Sequence, residues 1–347
     1  LMTEIKRKDC YLDLQYMRSQ IRDCIKGSNA IKKGNEIYLP MPSGMLNLPP
    51  SVSNSASNDA TGLMRSQMPW HHENPAYSAY LHRARFPDIT AGMLRGLAGV
   101  ITKLPPEYEL TASTSHYDTA AATVCNKNIV EAYGYACSEV LQTGKMCYVL
   151  DVTESRKFKI AMYSAERNID WDEAVIGDEL ALTSCTFVEE FASSASPEKT
   201  IVYSLVNEIA VYQRFESGKA VGEENPLLLS GKTIPRLPIF FSGAINNSPD
   251  AAIIPLGGIS DSALTIYRKD ADLAQAEYMT CNPTLFIYGL TEDQAPKFIG
   301  STVTVAISNP QASAEYPATD TSALDHMLKV IEGLHTEAIS MGAQMLG

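Results

Sequence analysis

Cysteine is scarce in this 347-residue sequence. There are seven (Cys10, Cys24, Cys125, Cys137, Cys147, Cys185 and Cys281), and no two form a Cys-x-x-Cys pair. An odd number of scattered thiols without metal-ligand spacing excludes a disulfide framework and a zinc ribbon. It reads as reduced, mostly buried cysteine in a cytoplasmic setting. Long apolar runs are also missing. No stretch approaches the roughly 18 to 20 residues that a membrane-spanning helix needs, so no membrane partner is expected. The first residues, Leu-Met-Thr-Glu-Ile-Lys-Arg-Lys, carry cations but no apolar run follows them, so this stretch is not expected to be a signal peptide. Leu1 ahead of Met2 leads us to expect that the native start lies elsewhere. Net positive charge is absent as well: 28 Lys and Arg stand against 40 Asp and Glu, a net of −12. A protein that grips nucleic acid needs cations to displace condensed counterions, so the acidic average argues against tight DNA binding. It does not exclude a wall along which DNA slides, because like charge keeps the polymer from sticking.

The usual marks of chemistry are missing too. Ser230-Gly231-Lys232-Thr233 resembles the end of a phosphate-binding loop, but the first glycine position of that motif holds Pro226. Pro235 and Pro238 follow where the loop's helix would run, so a β-turn is the better reading. His71-His72-Glu73 offers metal ligands, yet no other histidine falls four residues away and the zinc-protease geometry is absent. His82, His116, His326 and His335 are scattered without a nucleophile motif. Gly243 and Gly257-Gly258 lack dinucleotide-binding spacing, and there is no Gly-x-Ser-x-Gly elbow. Glu189-Glu190 and the pair Asp170 and Asp172 read as exposed strand-end charges. We therefore expect no catalytic residue, no metal and no cofactor, although catalytic groups can also be assembled from distant positions.

What is present is a sequence of ordinary globular composition, 45% hydrophobic and 20% charged, long enough for two or three structural units. Tyr11, Leu12, Leu14, Met17, Ile21 and Ile25 recur at helical spacing within residues 1–26, with Gly27 and Gly34 as stops. Leu39 to Asn58 is rich in Pro, Ser and Asn and reads as an extended loop, or as an arm on a neighbouring surface. A second helical region spans 75–104. It starts at Asn74-Pro75, breaks at Pro87, restarts with Asp88 or Thr90 as cap, and stops at Pro105-Pro106. A third helix runs 126–143 with Gly144 as its stop, and Lys145 to Val152 follows as a strand. From Lys157 to Phe241 the apolar runs 157–164, 180–191, 201–215 and 234–241 read as strands. SSASPEK and ESGKAVGEENP serve as turn signals, giving a small antiparallel β unit. Residues 259–281 form an alanine-rich helix ended by Pro283, two strands follow within 283–308, and Leu324 to Met341 makes an amphipathic helix. With no regular strand–helix alternation and no repeat, the class is α+β.

Five blocks carry a resemblance. The first is His72-Glu73-Asn74-Pro75-Ala76-Tyr77, continuing Tyr80-Leu81-His82-Arg83-Ala84-Arg85-Phe86-Pro87-Asp88-Ile89-Thr90. The second is Leu94-Arg95-Gly96-Leu97-Ala98-Gly99-Val100-Ile101 with Lys103 and Pro105-Pro106. The third is the helix end Leu141-Gln142-Thr143-Gly144-Lys145 with the strand through Asp151. The fourth and most specific is Tyr163-Ser164-Ala165-Glu166-Arg167-Asn168-Ile169-Asp170-Trp171. The fifth runs from Ile234-Pro235 through Pro255-Leu256, Asn282-Pro283-Thr284-Leu285 and Ile299-Gly300 to Met341-Gly342-Ala343-Gln344-Met345-Leu346. Over about residues 65–347 the sequence resembles the portal-like family of tailed bacteriophages, with Asp88 where the family usually has Asn. Residues 1–60 carry no part of it.

The resemblance implies a phage portal fold with a helical wing, a two-helix stem and a β-rich clip insert. The crown or barrel is expected to be absent from this chain, and relatives continue past Leu346. The implied division is 1–126 for an N-terminal arm and wing, and 127–156 for a stem helix and its following strand. The clip-like insert takes 157–241, a loop and second stem helix take 242–282, and the tunnel-loop region with a wing helix takes 283–347. The implied role is a structural one and not an enzyme's: a homo-dodecameric ring at one capsid vertex through which double-stranded DNA passes non-specifically. It serves packaging, head–tail connection and ejection. Implied partners are the terminase large subunit, a head-completion adaptor, and major capsid and scaffolding proteins; the implied location is the virion, and the host cytoplasm during assembly. Arg268 and Lys269 are candidates to face the channel as phosphate brakes, with a salt bridge to Asp270, Asp272 or a neighbouring subunit as the competing reading. The alternatives are another virion ring or adaptor component, or a phage hydrolase with dispersed catalytic residues.

Overall fold

The computed structural model describes residues 5–43, 74–108, 118–152, 158–229, 231–250, 253–281, 286–289, 311, 313–315 and 322–344. Helices and strands are both abundant and largely segregated along the chain, an α+β fold as expected. Two compact units are present: Leu1–Ala30, Asp88–Ala263 and Met341–Gly347 form the first, and Ile31–Pro87 with Leu264–Ser340 form the second.

In the first unit α1 (Asp9–Lys26), α4 (Ile89–Ile101) and α5 (Ile129–Thr143) pack together. Between α1 and α4 the chain forms α2 (Ser28–Lys33) and α3 (Pro75–Arg83), which reach into the second unit's residues. Ile21, Leu94, Leu97, Ile254, Leu256 and Ile259 make the helical core, closed by Leu14, Met17, Met93, Leu141 and Met341. Local rules explain α5. Asn128 accepts from the Glu131 backbone while Glu131 reaches back to the Asn128 N–H, and Gly144 ends the helix in the left-handed region. At α4, Asp88 occupies the cap position but makes no capping hydrogen bond, so neither expected cap is realised in that form.

Strand β1 (Lys145–Val152) lies between β10 (Ile239–Gly243) and β2 (Phe158–Ser164), all antiparallel. A five-stranded meander follows: β3 (Asn168–Ile176), β4 (Glu179–Glu190), β5 (Lys199–Val206), β6 (Ile209–Glu216) and β7 (Lys219–Pro226), paired in that order. Its inner face carries Ile169, Trp171, Cys185, Phe187, Ile201 and Tyr203 and meets Cys147, Val149 and Ile239 of the smaller sheet. The residues between them, Asp170, Ser184, Thr186, Val202 and Ser204, fall on the outer face, as the two-residue period requires.

Two sequence expectations change here. The run 201–215 is not one strand, because Asn207 and Glu208 both take positive φ and fold it into a hairpin without glycine. ESGKAVGEENP turns only at Ser217-Gly218 and then forms β7, an edge strand exposed at every position and so without an apolar alternation to reveal it. Gly231 takes positive φ beside Lys232-Thr233, which form β9 (Lys232–Thr233) paired with β8 (Leu228–Leu229). That is a β-hairpin, and no helix follows it.

The second unit is built on α3 and on α6 (Gly257–Cys281) from Leu264 onward. The Tyr80 hydroxyl donates to Asp272 Oδ1 at 2.7 Å, the Tyr77 hydroxyl to the Leu39 carbonyl at 2.6 Å, and Phe86 packs edge-on against Tyr267. Strands β11 (Phe286–Tyr288) and β12 (Ser313–Glu315) pair with each other, and α7 (Ser322–Gln344) follows. The loop expected at 39–58 lies mostly outside the described residues, as do the strand expected at 297–308 and the pair His71-His72.

Candidate functional site

The most heavily bonded part of the first unit is the joint where the helices meet the β unit, and the segment 163–171 is its centre. Glu166 stands in the turn between β2 and β3. Its carboxylate accepts from Arg22 of α1 through Nε (3.0 Å) and Nη2 (2.8 Å). Arg22 also donates to both oxygens of Glu139 on α5, at 3.0 and 2.6 Å, and to Gln142 Oε1 at 2.7 Å. Burial alone would raise the Glu166 carboxyl, but the hydrogen bonds and charge of Arg22 outweigh it and hold it below its ordinary range. Arg18, one turn before Arg22, is buried and donates to the Thr143 carbonyl at the end of α5. One helix thus ties α5 to the β unit through two arginines.

Lys145, the first residue of β1, is 1% exposed. Its ammonium donates to Asn168 Oδ1 at 2.7 Å and to the Pro249 carbonyl at 2.5 Å, and lies 3.8 Å from the centre of the Trp171 ring. Burial pushes its pKa down. Lys8 approaches the same ring at 4.7 Å and donates to the Trp171 carbonyl, while Trp171 Nε1 donates to Asp250. Arg167 donates to the carbonyls of Val188 and Glu189. The polar groups here are densely bonded, with Arg18 Nη1 left without a hydrogen bond, so the joint acts as a rigid connection. Arg22 and Glu139 escaped the sequence reading, and Lys145 entered it only as the start of a strand and the end of a block, with no role. Their only signal was a charged residue within an otherwise apolar pattern.

The β unit is strongly acidic. Residues 168–226 hold twelve Asp and Glu against three Lys and Arg (Lys199, Arg214, Lys219), a net of −9 out of the chain's −12. Near the joint the carboxylates are paired, Glu198 with Arg7, Glu190 with Lys199 and Glu189 with Arg214. At the far end Glu179 pairs with Arg236. Glu173, Asp178, Glu208, Glu223 and Glu224 have no ion pair among the described residues. A cleft of about 370 Å³ opens on the outer face between Ile5-Lys6 and Asp170, Asp172, Thr186, Gln213 and Phe215. Burial, and then the neighbouring Asp172, raises the pKa of Asp170 there.

In the second unit Arg268 Nε donates to the Tyr38 carbonyl at 2.8 Å, which engages its guanidinium, while Lys269 is exposed. Asp270 accepts from the Arg85 backbone and Asp272 from Tyr80, so both carboxylates have partners other than these two cations. A mostly apolar cavity of about 590 Å³ lies between α3 and α6, lined by Ala76, Tyr80, Arg83, Gln275, Tyr278 and Met279. Arg83 stacks 3.7 Å from the Tyr278 ring centre and donates to Gln275. Among the described residues no three His, Cys, Asp or Glu side chains gather as metal ligands, and no helix is long and apolar enough to cross a membrane.

Residues 255–347, which hold α6 and α7, match a family described as a domain of unknown function, DUF4055. No curated protein matches the chain. Among solved structures, a chain from "Neck of empty GTA particle computed with C6 symmetry" is similar at a TM-score of 0.37 and 9% identity, covering 71% of this chain. This chain spans 64% of the length of that one.

Proposed function

We propose that this chain is a subunit of a tailed-phage portal, a ring at one capsid vertex through which double-stranded DNA is packaged and ejected. The observation that carries the reading is the β unit between α5 and α6, anchored at its root by the very segment, Tyr163 to Trp171, that most resembles the portal-like family. A DNA motor pushes and pulls through such a ring, so a clip must not swivel on its stem. The Arg22, Glu139 and Glu166 network and the buried Lys145 supply that stiffness. The DUF4055 match falls within the stretch that carries the resemblance. In this reading α5 and α6 are stem helices and the β unit is the clip, met by the terminase large subunit during packaging and by a head-completion adaptor afterwards. Residues flanking them form the wing, against capsid and scaffolding proteins. The acidic surface lets DNA slide. Exposed Lys269 is the better of the two candidate phosphate contacts, since Arg268 is engaged by Tyr38.

Native mass spectrometry and negative-stain microscopy of the purified chain test the reading. A closed ring of about twelve copies of the 37.9 kDa chain, with an axial hole, is expected. A monomer at micromolar concentration with and without scaffold would refute it.

A further inference from the structure

The inner face of the five-stranded sheet does not end where its packing ends. Strand β4 pairs with β5 as far as Ser184, opposite Ser204, and from Thr183 outward it has only β3 beside it. The two strands continue as a two-stranded ribbon to the turn at Gly177-Asp178, with Arg236 bonded to Glu179 beside that turn. The five residues Glu179 to Thr183 carry it ~17 Å beyond the last β4–β5 pair at about 3.4 Å per residue, while the β5–β6 hairpin runs on for only two more pairs, to Val206 and Ile209. The register shift between Asp172 and Glu173 inserts one extra residue on β4. As a result Leu182 and Leu180 stay on the same face as Cys185, just as Glu173 and Val175 stay on the face of Trp171. Leu182 still packs on the core, but the cross-strand pair Val175 and Leu180 is 70% and 66% exposed. An apolar stripe therefore leaves the core and runs into water.

Its surroundings are mostly acidic, and among the described residues the one cation paired there, Arg236, is held by Glu179 at 2.6 Å. Between Asp172 and Thr183 there are four carboxylates, Asp172, Glu173, Asp178 and Glu179, and no Lys or Arg. An isolated two-stranded ribbon is marginal in water and gains stability from a cover. A DNA backbone is repelled by this charge. Another copy of the same ribbon would bring like charge against like.

The geometry points to the β3–β4 ribbon as a docking element for a basic protein surface, one that offers an apolar slot to Val175 and Leu180 ringed by Lys or Arg. This rests on the portal reading only in expecting the partner among proteins of a phage particle.

The test uses the full chain and each capsid, packaging and tail-joining protein encoded with it, purified singly and immobilised, with a short DNA duplex as a further surface. Two variants are compared with the parent, V175S/L180S and E173K/D178K. All four side chains are exposed, and unchanged Trp171 fluorescence certifies the fold. The expected result is one protein whose affinity drops about tenfold or more with each variant and weakens with added salt, while the native mass stays the same. Three results overturn the inference: no surface depends on the ribbon, DNA is the ligand that depends on it, or both variants abolish self-association, which makes a second copy the occupant. If the parent forms no ring but a protein still binds through the ribbon, the portal reading fails alone. If rings form and the variants bind everything as the parent does, the docking assignment fails alone.

Discussion

Replacing Arg22 with methionine should loosen the joint, and the size of the effect can be worked from its contacts. The guanidinium makes five hydrogen bonds to Glu166, Glu139 and Gln142. The two carboxylates are only 19% and 7% exposed, and Arg22 itself 23%. Removing one partner of a buried ion pair costs roughly 3 to 5 kcal/mol, because the other charge is left without compensation. Partial access of water to Arg22 and Glu166 lowers that to about 3 kcal/mol. The triple variant R22M/E139Q/E166Q removes the stranded charges and should recover about 2 kcal/mol of it. Urea unfolding followed by Trp171 fluorescence, in a W70F background so that one indole reports, gives both numbers. A cost for R22M below about 1 kcal/mol, or a triple variant no more stable than R22M, would refute the reasoning. The acid side supplies a second check. Glu166 is held below its ordinary 4.5 in the folded chain, so it binds fewer protons there than when unfolded. Its contribution is complete above about pH 4.5 and is lost as pH falls through the folded value. In R22M that acid-side loss should shrink.

Lys145→Ala would strand Asn168 Oδ1 and the Pro249 carbonyl and should cost about 2 to 3 kcal/mol, read by the same fluorescence melt. Gly144→Ala places a Cβ 2.6 Å from the Ile253 carbonyl oxygen at a φ of +83°, and about 2 kcal/mol or more is expected, visible as a lower midpoint at unchanged m. With an aromatic disulfide reagent at pH 8, exposed Cys10 and Cys125 should react at once. Cys24 and Cys147, pushed up by burial to about 12 and about 11, should react only after unfolding.

The helices were legible because each announces itself locally. Asn128 with Glu131 and Gly144 bracket α5, and Asn74 with Pro75 opens α3. Strand β1 appeared at its observed limits because Lys145 follows a helix-ending glycine. The turn at Asn207-Glu208 was missed because neither residue is glycine, and β7 because an edge strand exposed throughout has no pattern to read. The joint could be seen only in part. Glu166, Asn168 and Trp171 lie together in sequence and were picked out as a block. Arg22 and Glu139 lie 144 and 27 positions from Glu166, and no periodicity pairs a cation with a carboxylate across such a gap. Arg268 shows the same limit: the resemblance made it a candidate for the channel, with a salt bridge as the competing reading, and neither pointed to the Tyr38 carbonyl, 230 positions away, to which it donates.

The brace formed by α1 has a consequence for how the protein is made. Its side chains close onto residues 117, 144 and 240 positions later, at Glu139, Glu166 and Ser260. This helix therefore leaves the ribosome long before the residues that fix its place. Until Ser260 has emerged, Ile21 and Cys24, both fully covered in the finished fold, wait uncovered on an amphipathic helix. Long-range closure of this kind slows folding and leaves adhesive surface on the nascent chain.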